Sequence, residues 1–442
     1  MASAAEQMAA NMNWGVFGKA KELQQRILFA LGLLIVYRLG TYIPVPGIDA
    51  DQLKVFFEQA NQGIGGMLNM FTGGAVGRMA IFALGIMPYI TSSIIIQLLA
   101  SMVPYLEQLK KEGEQGRKKI NQYTRYGTVV LAFFQSYGIS VGIESQGLAS
   151  EPGLFFRASC VITLVGGTMF LMWLGEQITA RGVGNGISLI IFAGIVAEMP
   201  AALIGTLEMG RTGALSALLI VFLLIMAVAV ITFIVFVERA QRRVVVQYPK
   251  RQQGNKMMGG ESSHIPLKVN TAGVIPPIFA SSLLLLPITI ANFSANAGPE
   301  WMGTITAALG RGQPLYLLVY AAMIIFFAFF YTSVVFNPTE TADNLKRYGG
   351  FVPGIRPGRN TAEYLDFILT RLTVVGAIYL TAISILPELL NSQYGVPFYF
   401  GGTSLLIVVT VTMDTVSQVQ SHLIAHQYEG LVKKSRLKGR RG

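Results

Sequence analysis

The fold of this chain is decided by a stretch that occurs twice, as GIMPYITSS at residues 85–93 and as GVIPPIFASS at residues 273–282. A second stretch also occurs twice and in the same order, as GISLII at residues 186–191 and as GTSLLI at residues 402–407. The chain is therefore predicted to contain an internal repeat, a unit of five membrane spans that occurs twice. Because an odd number of spans makes the second copy enter the bilayer from the opposite side, we expect the halves to be related by a pseudo-two-fold axis in the membrane plane.

The matched positions of these stretches carry isoleucine. Ile90 corresponds to Ile278, and Ile191 corresponds to Ile407. Inverted repeats place their special chemistry near the bilayer midplane, between the halves. Here that chemistry is aliphatic and not ionisable.

The composition excludes a soluble globular protein. Of the 442 residues, 52% are hydrophobic and 13% are charged, and the mean hydropathy is +0.52. Residues 214–237 form a run of 24 without a charge. A helix needs roughly 20 apolar residues to cross the hydrocarbon core. We predict ten spans, at residues 27–43, 79–99, 126–141, 155–174, 187–203, 214–237, 272–290, 315–336, 372–386 and 405–424.

These spans predict an all-α polytopic membrane protein with ten transmembrane helices in two inverted five-helix halves. The N-terminal half comprises residues 1–211 with spans 1 to 5, and the C-terminal half comprises residues 212–442 with spans 6 to 10. Basic loops stay in the cytoplasm, so the Lys and Arg distribution predicts that both termini are cytoplasmic. The opposite side holds only a few of these cations, namely Lys54, Arg78, Arg157, Arg211 and Arg311.

An apolar segment between the first two spans is too short to be a span. It covers residues 64–74 and has a glycine pair at each end. Short apolar segments beside a true span are often re-entrant or interfacial. The segment therefore predicts a re-entrant half-helix, with a surface helix on the outer leaflet as the alternative.

Two long cytoplasmic loops, at about residues 238–271 and 337–371, are basic. In the first loop, residues 243–248 and 265–269 are predicted to be short strands joined by a polar tip at 249–256. The second loop carries the turn sequence GIRPGR at residues 354–359. Such loops suit a partner rich in phosphate or carboxylate, such as ribosomal RNA or an acidic motor protein. Positive-inside bias alone is the alternative explanation of their charge.

Five longer stretches resemble motifs of the bacterial SecY family, the channel subunits of the Sec protein translocon. They are FALGIMPYI at 82–90, WLGEQITARGVGNGIS at 173–188, VVFNPTETADNL at 334–345, FVPGIRPG at 351–358 and VPFYFGGTS at 396–404. The resemblance covers essentially the whole chain. It implies a channel around a central pore in the bacterial plasma (inner) membrane, which translocates unfolded secretory proteins and releases membrane proteins laterally into the bilayer.

The resemblance also implies residues for the parts of such a channel. The pore ring falls on Ile86, Ile90, Ile187, Ile191, Ile278 and Ile407. The plug falls on the short segment, at Ile64, Gly65, Gly66, Met67, Leu68, Asn69, Met70 and Phe71. The lateral gate falls on Thr91, Ser92, Gln97, Ser281, Ser282 and Leu286.

The partners implied by the resemblance are the SecE and SecG subunits, the SecA motor ATPase, the ribosome, signal peptides, nascent chains and membrane lipids. The motor and the ribosome are expected on the basic loops, at Arg242, Arg243, Lys250, Arg251, Lys256, Arg356 and Arg359. No cofactor is expected.

Enzyme classes fit the sequence poorly. No phosphate-binding loop of the Gly-x-x-x-x-Gly-Lys-Ser/Thr type is present, so energy must come from a partner. Gly186-x-Ser188 lacks the second glycine of a nucleophile elbow. His422 and His426 have the helical spacing of metal ligands, but without a nearby His-Glu motif we favour an ordinary cytosolic helix end.

A secondary transporter is the strongest alternative from another class, because inverted repeats are typical of that group. Transporters usually keep ionisable groups near the midplane. The candidates in this sequence are few, namely Arg38, Glu176 and Asp414.

Overall fold

The computed structural model describes residues 20–49, 53, 69, 72–213, 216–248, 251–253, 256–258, 262–294, 313–394 and 402–438. The helices in these ranges are α1 (Lys21–Gly40), α2 (Met87–Met102), α3 (Pro104–Lys111), α4 (Glu114–Ser145), α5 (Leu154–Arg181), α6 (Gly186–Arg211), α7 (Ala217–Arg239), α8 (Ile275–Ser294), α9 (Pro314–Val335), α10 (Pro338–Arg347), α11 (Arg359–Tyr394) and α12 (Gly402–Lys438). The strands are β1 (Gln241–Gln247), β2 (Arg251–Gln253), β3 (Lys256–Met258) and β4 (Ser262–Lys268).

Ten of these helices correspond to the ten predicted spans. Within the described ranges, seven helices are long and apolar enough to cross a membrane, and α2 adds an eighth if it is counted with α3, which it meets at a bend of 98°. Helix α8 is apolar over Ile275–Leu284, and α12 carries polar residues along its length. Polar groups in a membrane helix face the bundle interior or a water-filled cavity. The predicted all-α fold is confirmed.

Several helices extend beyond the spans that hydropathy predicts. Helix α4 begins at Glu114 although the apolar span begins at 126, and α11 begins at Arg359 although its span begins at 372. The extra turns are rich in charge, and their backbone hydrogen bonds form in water as they do in lipid. Hydropathy therefore locates the hydrocarbon-crossing part of a helix and misses its polar extension.

The repeated stretches set the starts of four helices. Gly85 (φ +57°) and Gly273 (φ +64°) both have left-handed backbone, and α2 and α8 begin two residues after them with proline at the second helical position. Glycine adopts this conformation without steric cost, and proline is tolerated in a first helical turn. Helices α6 and α12 begin at the glycines of the second repeat, Gly186 and Gly402.

Helix α4 packs through a stripe of small residues. Every fourth position on one face is small and buried, at Thr124, Thr128, Ala132, Ser136 and Ser140. Small residues at this spacing let neighbouring helices approach closely in a membrane. Helix α4 contacts α2 and α5.

The first long loop forms the predicted ribbon. Strands β1 and β4 pair antiparallel from Gln241 opposite Lys268 to Gln247 opposite Ser262. Val244 and Val246 are buried on β1 while the residues beside them are exposed, which is the alternation expected of a half-buried strand. The prediction of two strands in this loop is confirmed.

Contacts between Cα atoms divide the chain into two compact units. The first contains the described residues up to Leu203, the end of α8 from Thr289, and the residues from Val411 onward. The second contains the described residues from Ile204 to Ile288 and those after α8 up to Thr410. The division into halves at residue 211 stays a prediction.

Candidate functional site

The predicted ring residues lie at the starts of four helices. In each repeated stretch an isoleucine follows the glycine by five positions, at Ile90, Ile191, Ile278 and Ile407. Three of these four are buried, and Ile278 is half-buried. The two other predicted members are the buried Ile86 and the half-buried Ile187.

The turn before α6 is fixed by a residue that the sequence reasoning missed. The amide of Gly184 donates to Oε1 of Gln418 on α12 at 2.9 Å. Gly184 has φ +87°, and the amide of Gly186 donates to Oγ1 of Thr179 at 2.8 Å. These bonds hold the loop from which Ile187 and Ile191 follow.

The ionisable groups expected of a transporter make structural contacts. The guanidinium of Arg38 donates to the carbonyl of Gly73 at 2.5 Å and to the hydroxyl of Tyr42 at 3.0 Å. Glu176 accepts two hydrogen bonds from Arg125, at 3.2 and 2.7 Å, between α5 and α4. Asp414 is exposed on α12. Arg38 and Glu176 thus have partners within the protein, which disfavours an ion-coupled carrier.

The predicted gate residues of α2 bond within the N-terminal helices. The hydroxyl of Ser92 donates to the carbonyl of Thr124 on α4 at 2.7 Å, and both residues are buried. Thr91 donates to the carbonyl of Met87 at 3.1 Å. The amide of Gln97 donates to Ser93 at 3.2 Å, and its Oε1 is buried with no hydrogen-bond partner among the described residues.

The predicted gate residues of α8 bond within their own helix. Ser281 and Ser282 both donate to the carbonyl of Ile278, at 2.9 and 2.8 Å. A hydroxyl that donates to a carbonyl three or four residues earlier tends to bend a helix. The shared acceptor here, the carbonyl of Ile278, lies two residues after Pro276. Leu286 lies further along α8. Membership of these residues in a gate stays a prediction.

Most of the predicted plug lies outside the described residues, namely Ile64 to Leu68, Met70 and Phe71. Asn69 is described, and it caps the chain that follows. Its Oδ1 accepts from the amide of Gly77 at 2.7 Å, and its carbonyl accepts from the amide of Gly74 at 2.7 Å.

Two arginines converge on the chain that leaves the plug segment. Arg38 and Arg78 both donate to the carbonyl of Gly73, at 2.5 and 2.8 Å. Arg78 also donates to the carbonyl of Thr41 at 3.2 Å, and its guanidinium lies 4.3 Å from the ring centre of Tyr42. We call Arg38, Arg78 and Gly73 the arginine anchor. An arginine within an apolar stretch is the sequence signal that could have identified it.

The two basic loops form one structure. The amide of Gln247 donates to the carbonyl of Phe351 at 2.9 Å, and the amide of Phe351 donates back at 3.0 Å. A shared apolar core lies beneath them, with Val244, Leu267, Val352, Leu365 and Ile368 buried. We call this joined body of the ribbon and the second loop the platform.

The predicted partner-binding residues decorate the platform. Arg242 and Arg243 are exposed on β1, and Arg356 is exposed at the turn of the second loop. Arg359 is exposed and pairs with Glu363 at 3.0 Å. Arg251 lies on β2 and Lys256 on β3, and Lys250 lies outside the described residues.

A buried polar pair at the base of the ribbon was not predicted. The side-chain amide of Asn270 donates to Oε1 of Glu238 at 2.6 Å and to the carbonyl of Gly273 at 3.1 Å. An acid at the C-terminal end of an apolar helix is the sequence signal for Glu238. Nothing in the sequence pairs it with Asn270.

Comparisons with known proteins agree with the resemblance. The family model for SecY matches residues 80–416. The protein translocase subunit SecY of Escherichia coli K12 is 58% identical over 427 residues, which cover 96% of each chain. That of Rickettsia conorii is 56% identical over 422 residues, covering 94% of this chain and 97% of the relative.

Solved structures with low sequence identity share the fold. A protein-conducting channel superposes with a TM-score of 0.64 at 18% identity, covering 90% of this chain and 92% of the other. The channel of the canine ribosome-channel complex from the endoplasmic reticulum gives a TM-score of 0.61 at 18% identity, with the same coverage. Together with the near full-length bacterial relatives, these findings show that the chain belongs to the SecY family.

Proposed function

We propose that this chain is the protein-conducting channel of a bacterial translocase, which passes unfolded secretory proteins across the inner membrane and releases membrane proteins laterally into it. The observation that carries the proposal is the set of isoleucines at one matched position of four helix starts, in a chain of the SecY family. A moving polypeptide presents every kind of side chain, so a site of fixed donors and acceptors would stall some sequences.

The ring of Ile86, Ile90, Ile187, Ile191, Ile278 and Ile407 is proposed as the constriction. Branched aliphatic side chains have no hydrogen-bond donors or acceptors, so they do not require particular groups on the passing chain. When the channel is empty, a narrow apolar constriction resists ion flow because it dewets. The segment at 64–74 is proposed as the plug that adds to this seal, with its C-terminal end held by the arginine anchor.

Helices α2 and α8 are proposed as the two sides of the lateral gate. Hydrogen bonds between membrane helices average well under about 2 kcal/mol each, so a seam of hydroxyls and amides is weak. An apolar signal segment that prefers lipid to water would then open it.

The platform is proposed as the docking surface for the motor SecA and for the ribosome, with SecE and SecG as further subunits. Its exposed arginines suit phosphate and carboxylate groups. The chain is proposed to sit in the inner membrane with both termini in the cytoplasm and to catalyse no reaction itself. Reversing the charge of Arg356 with Arg356→Glu should weaken motor affinity by about tenfold, whereas Arg117→Glu on the exposed start of α4 should leave it unchanged.

Site-specific crosslinking of a stalled secretory chain tests the channel directly. A photo-crosslinker in place of Ile191 should capture the chain, and one in place of Ile204, which lies on the same helix and is 63% exposed, should not. In liposomes, the triple variant Ile90→Asn, Ile191→Asn, Ile278→Asn should conduct ions at rest. Unchanged conductance together with equal crosslinking at both positions would contradict the proposed constriction.

A further inference from the structure

The base of the ribbon contains a buried carboxylate in an unfavourable place. Glu238 is the next-to-last residue of α7, and it is 8% exposed. Burial penalises a charged carboxylate, and the C-terminal end of a helix carries partial negative charge that opposes it further. A carboxylate at such a position is tolerated only where hydrogen bonds satisfy it.

The side chain of Asn270 supplies a hydrogen bond to this carboxylate. Asn270 is 3% exposed, and its Nδ2 lies 2.6 Å from Oε1 of Glu238. Bonds to ionised acceptors are shorter and stronger than those between neutral groups. The same Nδ2 also donates to the carbonyl of Gly273 at 3.1 Å. One amide therefore joins the end of α7 to the glycine that precedes α8.

The backbone around Asn270 belongs to the foot of the ribbon. Strand β4 ends at Lys268, and the amide of the next residue, Val269, donates to the carbonyl of Ala240 at 3.0 Å. Helix α11 closes the other side, because a Cβ on Gly376 would lie 2.9 Å from the carbonyl oxygen of Val269. The foot is thus fixed to α7 and packed against α11.

Gly273, in contrast, is loosely surrounded. Apart from its two neighbours in the chain, no described residue has an atom within 4 Å of the position that a Cβ on Gly273 would occupy. Its backbone is left-handed, and α8 with Ile278, Ser281 and Ser282 begins two residues later. A contact made by the carbonyl of Gly273 can therefore influence the direction in which α8 starts.

We propose that Asn270 is a positioning residue that transmits movement of the platform to α8 through the carbonyl of Gly273, with Glu238 as its fixed point. This inference rests on the proposed channel function. Binding of a motor to the platform exerts a force on the ribbon. The amide of Asn270 transmits this force to Gly273, after which α8, the proposed gate helix, begins. The role requires both of its hydrogen bonds.

The substitution Asn270→Asp tests the coupling at nearly constant size. It replaces the donor with a carboxylate that faces Glu238 and the carbonyl of Gly273. Losing the donor to the carbonyl of Gly273 should reduce motor-driven translocation by about tenfold or more. Motor affinity for the platform should stay within about twofold of wild type, because the exposed arginines are untouched. Asn121→Asp, the same change at an exposed position on α4, should alter neither quantity.

A paired substitution separates positioning from general damage. In Glu238→Gln with Asn270→Asp, the donor and acceptor exchange places, which restores the bond between positions 238 and 270 but leaves the carbonyl of Gly273 without the Asn270 donor. Stability in detergent should therefore recover relative to Asn270→Asp alone, while translocation stays low. A fluorophore on Ser281→Cys reports on α8 directly, and its response to motor binding should be lost both in Asn270→Asp and in the pair. If Asn270→Asp does not fold, Asn270→Ala removes both bonds without adding charge and takes its place.

The inference is wrong if motor affinity and translocation fall by the same factor, if the fluorophore responds normally in Asn270→Asp, or if the folded double variant translocates like wild type. A wild-type protein that translocates no preprotein with motor and ATP would instead refute the channel function. The two failures are therefore distinguishable in one set of experiments.

Discussion

The two copies of the Gly-x-x-Pro break have the same backbone and different surroundings. Gly85 and Gly273 share left-handed torsion angles and a helix that begins two residues later. A Cβ on Gly85 would lie 2.9 Å from Cγ2 of Thr72, whereas the space beside Gly273 is open among the described residues. The repeated sequence therefore determines the backbone at the start of each helix. The loop before each glycine determines which contacts surround that start.

The loops hold the two breaks with different chemistry. Before Gly85, two guanidinium groups bind one backbone carbonyl, and Asn69 caps the same chain. Before Gly273, a single side-chain amide binds both a carboxylate and the glycine carbonyl. The first arrangement has several independent restraints. In the second arrangement a single side chain, that of Asn270, makes both contacts. We expect such a connection to move more easily than the first.

The largest difference is expected from alanine at the two glycines. Left-handed backbone costs an alanine about 1–2 kcal/mol at either site. Gly85→Ala also meets the Thr72 methyl group, and overpacking adds about 1–3 kcal/mol. Unfolding in detergent should therefore show a larger loss for Gly85→Ala than for Gly273→Ala. The control is Gly32→Ala in α1, where the backbone is helical and no described atom beyond the nearby helix backbone lies within 4 Å of the added Cβ. Equal losses at both breaks would contradict the comparison.

The next effect concerns the arginine anchor. Arg78→Lys keeps the charge but cannot donate from two nitrogens to the carbonyls of Thr41 and Gly73 at once. We expect stability to fall by about 1–3 kcal/mol. Resting ion conductance in liposomes should rise, because the chain that leaves the proposed plug is held less firmly. Arg211→Lys is the control, since its contact with Glu208 is 3.8 Å long and exposed. Wild-type conductance in Arg78→Lys would show that the anchor does not support the seal.

The sequence predicted what local chemistry determines. The glycines and prolines of the repeat mark the breaks before α2 and α8 because backbone torsion depends on the residue itself. Hydropathy alone was wrong at the first break, because the predicted span begins at residue 79 and α2 begins at Met87. The run of three valines at 244–246 predicts β1 because β-branched residues are enriched in strands.

Contacts between distant residues were not predictable. Arg38 and the carbonyl of Gly73 are 35 positions apart, and Glu238 and Asn270 are 32 apart. The pairing of Gln247 with Phe351 joins two loops that the sequence presents as separate. One chain carries no signal of which neighbour a polar side chain finds, because that choice depends on packing of the whole bundle.

The smallest effect concerns the serine pairs that follow the two breaks. Ser92, Ser281 and Ser282 were predicted to line the gate, yet Ser92 donates to α4 while Ser281 donates within α8. Ser92→Ala removes a buried bond between helices and should cost about 1 kcal/mol. Ser281→Ala removes only a bond within its helix, whose carbonyl acceptor retains Ser282 as a donor, and should cost less than about 0.5 kcal/mol.

Unfolding midpoints of the two alanine variants, measured in the same detergent, check this order. A second measurement addresses function. If Ser92 serves only to pack α2 against α4, Ser92→Ala should shift stability and leave the length of signal segment needed for lateral release unchanged. A shorter required segment in Ser92→Ala, with unchanged stability, would place Ser92 in the seam itself. It would also mean that the two copies of the repeat differ less than their hydrogen bonds indicate.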